Sequence, residues 1–456
     1  MLWHRKREPA SCTWSYQMTK NMMSITRSLE NDYGARLNVL VAEARQKSPF
    51  YAELYSKLPL AGQIALCDLP LVDHAQYWAA YRDSEQMVMT GYQSDGVLMK
   101  TGGTTGIPKF TSYSQIELLR TASLLANGLL HAGLRAGDRV ANLFYAGDLY
   151  GSFLLHILSV ISLPVPAVQI PIGGLMPPET TAHLLKTCHV TAVLSTVTSL
   201  VRLASYCRPR GETFPLVTAI MFSGEPMFGD QVAALAYLFP NAIVRSCIYG
   251  SIDAGVIAVS AGTSNPAEFL TLSASVVAEI VVDQDGVLVP TDEPATPGTL
   301  VATNLIRDLT PVIRYPTGDR AEWVDKSAGI FRLLGRSENS VRLGPVSLDI
   351  SHLRQLAQAV LGSLAIEAFQ VTVFRESAKD AFEIAIDTRE PPPAGAGDAI
   401  IELLNEQRPM LKQHLDMGLV APAKVNFKSI NDMRTNPRSG KLPEIVDLRV
   451  PGPWKE

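Results

Sequence analysis

Thr101 to Lys109 reads TGGTTGIPK, with three glycines, three threonines and one lysine in nine residues. Glycine amides can approach an anion with no Cβ in the way, hydroxyls add donors and the lysine adds charge, so the stretch suits the wrapping of a phosphate. It is not the loop of strand–GxxxxGK[ST]–helix proteins. Lys109 stands three places after Gly106 with Pro108 between them, so no helix can begin directly behind it. On residue types alone, a flexible surface turn is an equal reading. Five further stretches combine polar groups in ways that chemistry could use: FSGEP at 222–226, CIYGSID at 247–253, VIRYPTGD at 312–319, LGRSEN at 334–339 and RSGKLP at 438–443. Each has a plain alternative when taken singly. A Gly-Glu-Pro after a strand is usually a turn, RYPTGD is a polar turn, and a lysine in a terminal loop is normally a solvated charge.

Their order along the chain narrows the choice. TGGTTGIPK resembles the phosphate loop of the adenylate-forming superfamily, which comprises acyl-CoA synthetases, peptide-synthetase adenylation domains and luciferases, with a pattern of roughly [ST]-[SG]-G-[ST]-T-G-x-P-K. The phenylacetate-CoA ligase branch is the most similar, through Pro49-Phe50-Tyr51, Leu69-Pro70-Leu71, the GEP segment and VIRYPTGD. The matches run from about residue 49 to 445. Three departures stand out: Gly102 where serine is usual, Asp253 for glutamate, and Glu338-Asn339 for a double aspartate.

The resemblance implies the activation of a carboxylic acid by ATP as acyl-AMP, followed by thioester formation with CoA or a carrier-protein phosphopantetheine. Bringing a carboxylate to the α-phosphorus joins two anions, so the site must supply positive charge, magnesium and a grip on the nucleotide. It further implies that Thr101, Gly102, Gly103, Thr104, Thr105, Gly106 and Lys109 hold phosphates, and that Ser223, Gly224, Glu225 and Pro226 lie against the adenine. Tyr249 would stack on the base, with Gly250 and Ser251 beside it. Asp253 would help hold Mg2+, a hard cation that accepts either carboxylate. Asp319 and Arg336 would take the ribose, Glu338 would serve as the hinge, and Lys441 would reach the reacting carboxylate and the α-phosphate as a catalytic group. The acid pocket falls on Phe144, Tyr145, Ala146, Tyr150, Phe222 and Ala254, with Asp148 the one charge nearby. Such an apolar, aromatic wall favours an aryl or medium acyl acid. Two rivals remain: an acyl-protein synthetase or stand-alone adenylating enzyme that does not use CoA, and a degenerate, non-catalytic nucleotide-binding protein.

The elements that must position these residues read as α/β. Residues 19–58 have near-helical apolar spacing, and Gln115 to Ala132 is an amphipathic helix stopping before Gly133. Short apolar runs at VANLFY, PVPAV, 191–195, 217–222 and 242–248 alternate with helical segments, which indicates a parallel sheet. From about 255 to 334 hairpin signals dominate, with Asp285-Gly286 between two β-branched runs. From Gly335 the pattern is strand, helix (352–360), two strands (365–374 and 382–387), the loop PPPAGAG, a helix (399–415) and a strand (423–430). The expected organisation is therefore an extension over 1–18, disordered by composition, a large N-terminal domain of mixed sheets with flanking helices over 19–334, and a small mobile α+β C-terminal domain over 335–456.

The bulk numbers agree with this assignment. The 456 residues suffice for two or three domains. A net charge of −4, with no basic block beyond Arg5-Lys6-Arg7, argues against a nucleic-acid partner. The apolar stretch 153–168 is interrupted by His156, Pro164 and Pro166, too short for a membrane span. Five scattered cysteines without CxxC spacing fit reduced thiols in a cytoplasm, with neither disulfide nor zinc. Monomer and homodimer both remain open.

Overall fold

The computed structural model describes residues 33–59, 64–100, 109–263, 265–284, 287–336, 340–435 and 442–449. The N-terminal extension, Thr101 to Gly106, the Asp285-Gly286 turn, Glu338 and Lys441 lie outside the described residues, as does the Arg336 side chain.

Residues 33–47 form helix α1, and α2 (Pro49–Leu54) follows at once. The single helix expected over 19–58 is thus divided at Ser48. This residue is extended, its side chain accepts from Tyr51 N, and Pro49 stands in the first turn, where its missing N–H costs nothing. PFY therefore starts a helix. Helix α3 (His74–Asp83) is capped by Asp73, which accepts from Gln76 N at 2.9 Å. The hydroxyls of Tyr51 and Tyr77 both donate to the carbonyl of Pro311, at 3.0 and 3.1 Å, and so fasten α2 and α3 to the start of VIRYPTGD.

Two short strands, Val97–Lys100 and Phe110–Tyr113, pair antiparallel with Lys100 opposite Phe110, and residues 101–108 connect them. Helix α4 (Gln115–Ala132) follows with the bounds read from the sequence. It opens on a Ser114/Glu117 capping box and ends on Gly133, whose φ of 116° suits glycine. Helices α5 (Gly151–Ile161), α6 (Pro178–Thr187), α7 (Val197–Cys207) and α8 (Gly229–Leu238) then alternate with strands. Those strands form a five-stranded parallel sheet in the order 168–171, 139–143, 192–195, 219–222, 243–246, and buried apolar clusters lie on both faces. The run expected as one strand over 242–248 is two. Ile243–Ser246 closes the parallel sheet, the chain crosses at Cys247, and Ile248–Ser251 opens an eight-stranded antiparallel sheet. This second sheet, ordered 287–290, 276–284, 298–304, 312–325, 330–336, 268–271, 255–260, 248–251, packs against α1 to α3 through Tyr51, Tyr77, Trp78, Tyr315 and Phe331. Each large side chain so buried contributes about 1.5–3 kcal/mol relative to exposure.

Strands after residue 340 pair only with one another among the described residues. A hairpin (340–343 with 346–349) leads to α9 (Ile350–Leu361), and the long strands 366–376 and 379–388 are flanked in parallel by 424–427 and 445–447. The helix expected over 399–415 is two, α10 (Ala396–Gln407) and α11 (Pro409–Asp416), because Pro409 cannot donate into the preceding turn. The strand 445–447, only three residues long, has no counterpart in the sequence reading.

Candidate active site

Lys109, the last residue of the TGGTTGIPK stretch, lies in a polar cluster. Its Nζ lies 2.7 Å from His74 Nε2, 3.7 Å from Asp253 Oδ2 and 5.0 Å from the centre of the Trp78 ring. Asp253 Oδ2 also accepts from the Tyr315 hydroxyl at 2.9 Å, and Oδ1 accepts from Ala254 N at 3.1 Å. Trp78 Nε1 donates to Tyr315 at 2.7 Å. Burial alone would push the Asp253 carboxyl up, but the Lys109 ammonium, with hydrogen bonds from Ser251 and Tyr315, holds it well below the usual carboxylate range. It is therefore ionised at neutral pH. Burial and the facing Asp253 push the Tyr315 phenol far up, so it remains a donor.

The second cluster joins Tyr249 to Asp319, whose Oδ2 accepts from the tyrosine hydroxyl at 2.7 Å. Phe269 and Phe331 hold the Tyr249 ring, each with its centre 5.7 Å away. Asp319 is paired in register with Arg336 on the neighbouring strand, so RYPTGD and LGR meet across the antiparallel sheet. Gly250 can only be glycine in this arrangement, since a Cβ would stand 2.3 Å from the carbonyl of Gly255. Gly224, Pro226, Gly250 and Ser251 are exposed, while Ser223 and Glu225 are buried. Glu225 turns its carboxylate inward, accepting from Thr198 N at 3.1 Å and from the Thr198 hydroxyl. Gly344 of the C-terminal block lies just beyond it, and the two line a crevice of about 240 Å³ between the blocks.

Arg314, although within the RYPTGD motif, does not face these groups. Its guanidinium is buried against both Glu279 oxygens at 3.0 and 3.1 Å and the carbonyl of Leu69, with φ at 46°. It ties the LP segment to the strand that carries Asp319.

The expected acid pocket is divided. Phe144, Phe222 and Ala254 each lie in a different packed core cluster. Phe144 stacks on His156, with ring centres 3.9 Å apart, and burial lowers that imidazole to about 4. Tyr145, Ala146 and Tyr150 remain at the carboxyl end of strand 139–143. Tyr145 meets His414 edge-on at 5.6 Å, and the Tyr150 hydroxyl lies 2.7 Å from Met410 Sδ, both partners on α11. Asp148 pairs with Lys100 at 2.6 Å. The sequence reading missed His74 and Trp78. The i, i+4 spacing behind an Asp73 cap was their only signal, and it also fits an ordinary amphipathic helix.

No protein-family model matches this sequence. The phenylacetate-coenzyme A ligase of Thermus thermophilus is 25% identical over 450 residues, spanning 91% of this chain and 95% of that one. A crystal structure of 2-hydroxyisobutyryl-CoA ligase with its acyl-AMP and CoA, in the thioesterification state, overlaps with a TM-score of 0.71 at 20% identity, covering 91% of this chain and 89% of that chain. Over nine-tenths of its length the chain is similar in sequence to the one ligase and shares the fold of the other. The overlap depends on the arrangement compared: the same 2-hydroxyisobutyryl-CoA ligase in its postadenylation state gives 0.59 at 18% identity, over the same shares of the two chains.

Proposed function

We propose that this protein is an acid–thiol ligase that activates a carboxylic acid with ATP as acyl-AMP and transfers the acyl group to CoA. The supporting observation is convergence: Tyr249 bonds Asp319, Asp319 faces Arg336 in register, and Lys109 sits against Asp253. The ring proposed to stack on the base, the carboxylate proposed to hold the ribose and the cation proposed to bind phosphate thus come from segments lying between residues 109 and 319. Tyr249 would lie against the adenine, Asp319 would accept from ribose hydroxyls, and Lys109 would neutralise phosphate oxygens as the acid's carboxylate attacks.

Magnesium fits this donor set in one way. No group of three His, Cys, Asp or Glu side chains is gathered among the described residues. Mg2+ is commonly held by substrate phosphates plus one or two carboxylates, and Asp253, ionised and hard, would supply one. Bound there, the ion would neutralise charge on the triphosphate.

The proposed division is 19–334 for ATP and acid and 335–456 for the mobile domain, turning on Glu338 to deliver Lys441. Strand pairing that stays separate after residue 340 supports it. Tyr145, Ala146 and Tyr150 support an aryl or medium acyl acid. A carrier protein presents the same thiol arm as CoA and is the alternative acceptor. Four free thiols among the described residues support a cytoplasmic setting, and no described helix is long and apolar enough to cross a membrane.

Pyrophosphate release with a panel of acids, ATP and Mg2+ tests the reading. Lys441→Ala should lower that rate at least tenfold, roughly 1.4 kcal/mol of barrier. Unchanged turnover would remove Lys441 from the mechanism.

A further inference from the structure

Helix α3 stands outside every motif so far assigned to the nucleotide, yet it touches Lys109 twice. We infer that His74 and Trp78 are positioning residues that hold the Lys109 ammonium where the triphosphate binds, an inference that rests on the function proposed above.

An ammonium has three donors and no acceptor, on a flexible four-carbon stem. Three groups converge on this one: His74 Nε2 at 2.7 Å, Asp253 Oδ2 at 3.7 Å and the Trp78 ring at 5.0 Å. A ring nitrogen that accepts from an ammonium belongs to a neutral imidazole with its proton on Nδ1. His74 and Trp78 are one turn apart and share a face of α3. The helix is itself fixed, since Tyr77 donates to Pro311 and Trp78 Nε1 donates to Tyr315, whose hydroxyl donates in turn to Asp253. Trp78 therefore acts on both sides of the pair, offering its π face to the cation and, through Tyr315, orienting the carboxylate. Lys109 thus meets its ligand with its stem already ordered, which reduces the entropy lost on binding. Asp253 also gains a role for which its shorter side chain is suited, as the counter-ion of the phosphate-loop lysine.

The test uses the full chain and the non-hydrolysable nucleotide adenosine 5′-(β,γ-imido)triphosphate with Mg2+, followed by calorimetry, alongside KM and kcat for pyrophosphate release. His74→Ala should weaken nucleotide binding about tenfold, as expected for one lost charge-assisted hydrogen bond, and raise the KM for ATP with a smaller change in kcat. His74→Gln, which can still accept, should recover most of that loss. In a Lys109→Ala background His74→Ala should have no further effect, because the group it positions is gone. Undiminished binding by His74→Ala, or an additive loss in the double variant, overturns the inference while leaving the ligase reading intact. If His74→Ala does not fold, Trp78→Phe, which keeps a π face but loses the Nε1 donor, gives an independent reading. Weaker nucleotide binding by Trp78→Phe at an unchanged melting temperature supports the inference, and unchanged binding overturns it. A wild-type protein that binds no nucleotide overturns both.

Discussion

Glu225 is the residue whose charge is most finely balanced. Burial pushes its carboxyl up to about 7 against the pull of the Thr198 hydrogen bonds and Arg342, with Asp380 adding to the rise. The folded state then holds a proton that the unfolded chain releases near 4.5, so this group's contribution to stability falls as pH rises from about 4.5 to about 7. His156, lowered to about 4, works in the opposite sense, since its contribution is lost as pH falls below about 6.5. Glu225→Gln removes only the first term. Its melting temperature relative to wild type should therefore increase between pH 5 and pH 8, and differential scanning calorimetry across that range checks it. At this scale a sequence supplies residue types but not their orientations. GEP was recognised, yet nothing in three letters says that the glutamate turns toward Thr198 and Gly344 while its neighbours stay exposed.

At the scale of elements, the Ser114/Glu117 box does more than start α4. Glu117 also accepts from Leu309 N at 2.9 Å and faces the fully buried Arg307, whose Nη1 is 3.6 Å away. Arg307 in turn donates to Thr111 Oγ1 and to the Ser112 carbonyl, and lies over the Tyr113 ring at 3.6 Å. The strand that follows the TGGTTGIPK stretch is thus held by a charge pair inside the protein. Glu117→Ala leaves that guanidinium uncompensated and should cost about 3–5 kcal/mol, read as a lower urea midpoint. Elements with local signals were legible: α4 carried its own caps and a regular apolar face. The divisions were harder to read. Ser48 and Pro409 split runs whose apolar spacing continues across the break, and Cys247 lies where a chain leaves one sheet for another, a choice made by tertiary pairing that periodicity does not encode.

For the whole molecule, α11 rests on the 145–150 loop through Tyr150–Met410 and Tyr145–His414. This arrangement overlaps better with the thioesterification state of the 2-hydroxyisobutyryl-CoA ligase (0.71) than with its postadenylation state (0.59). On the proposed function, Met410→Ala should slow acyl transfer to CoA by roughly fivefold, about 1 kcal/mol for the lost hydrogen bond from the Tyr150 hydroxyl to the sulfur, while pyrophosphate release stays near wild type. Separate assays of the two half-reactions check it. The alternation of apolar runs with helical segments, and the hairpin signals after them, were enough to foresee two kinds of sheet. They could not foresee how the blocks face one another, because contacts such as Tyr150–Met410 join residues 260 positions apart with no pattern shared between them.

The Arg314 anchorage carries a practical corollary for anyone shortening this polypeptide. A fragment beginning beyond Tyr81 would strand that guanidinium without the Leu69 carbonyl and uncover the aromatic underside of the sheet that bears Asp319. The leading helices are thus the floor beneath the candidate site, and a fusion partner could not replace them.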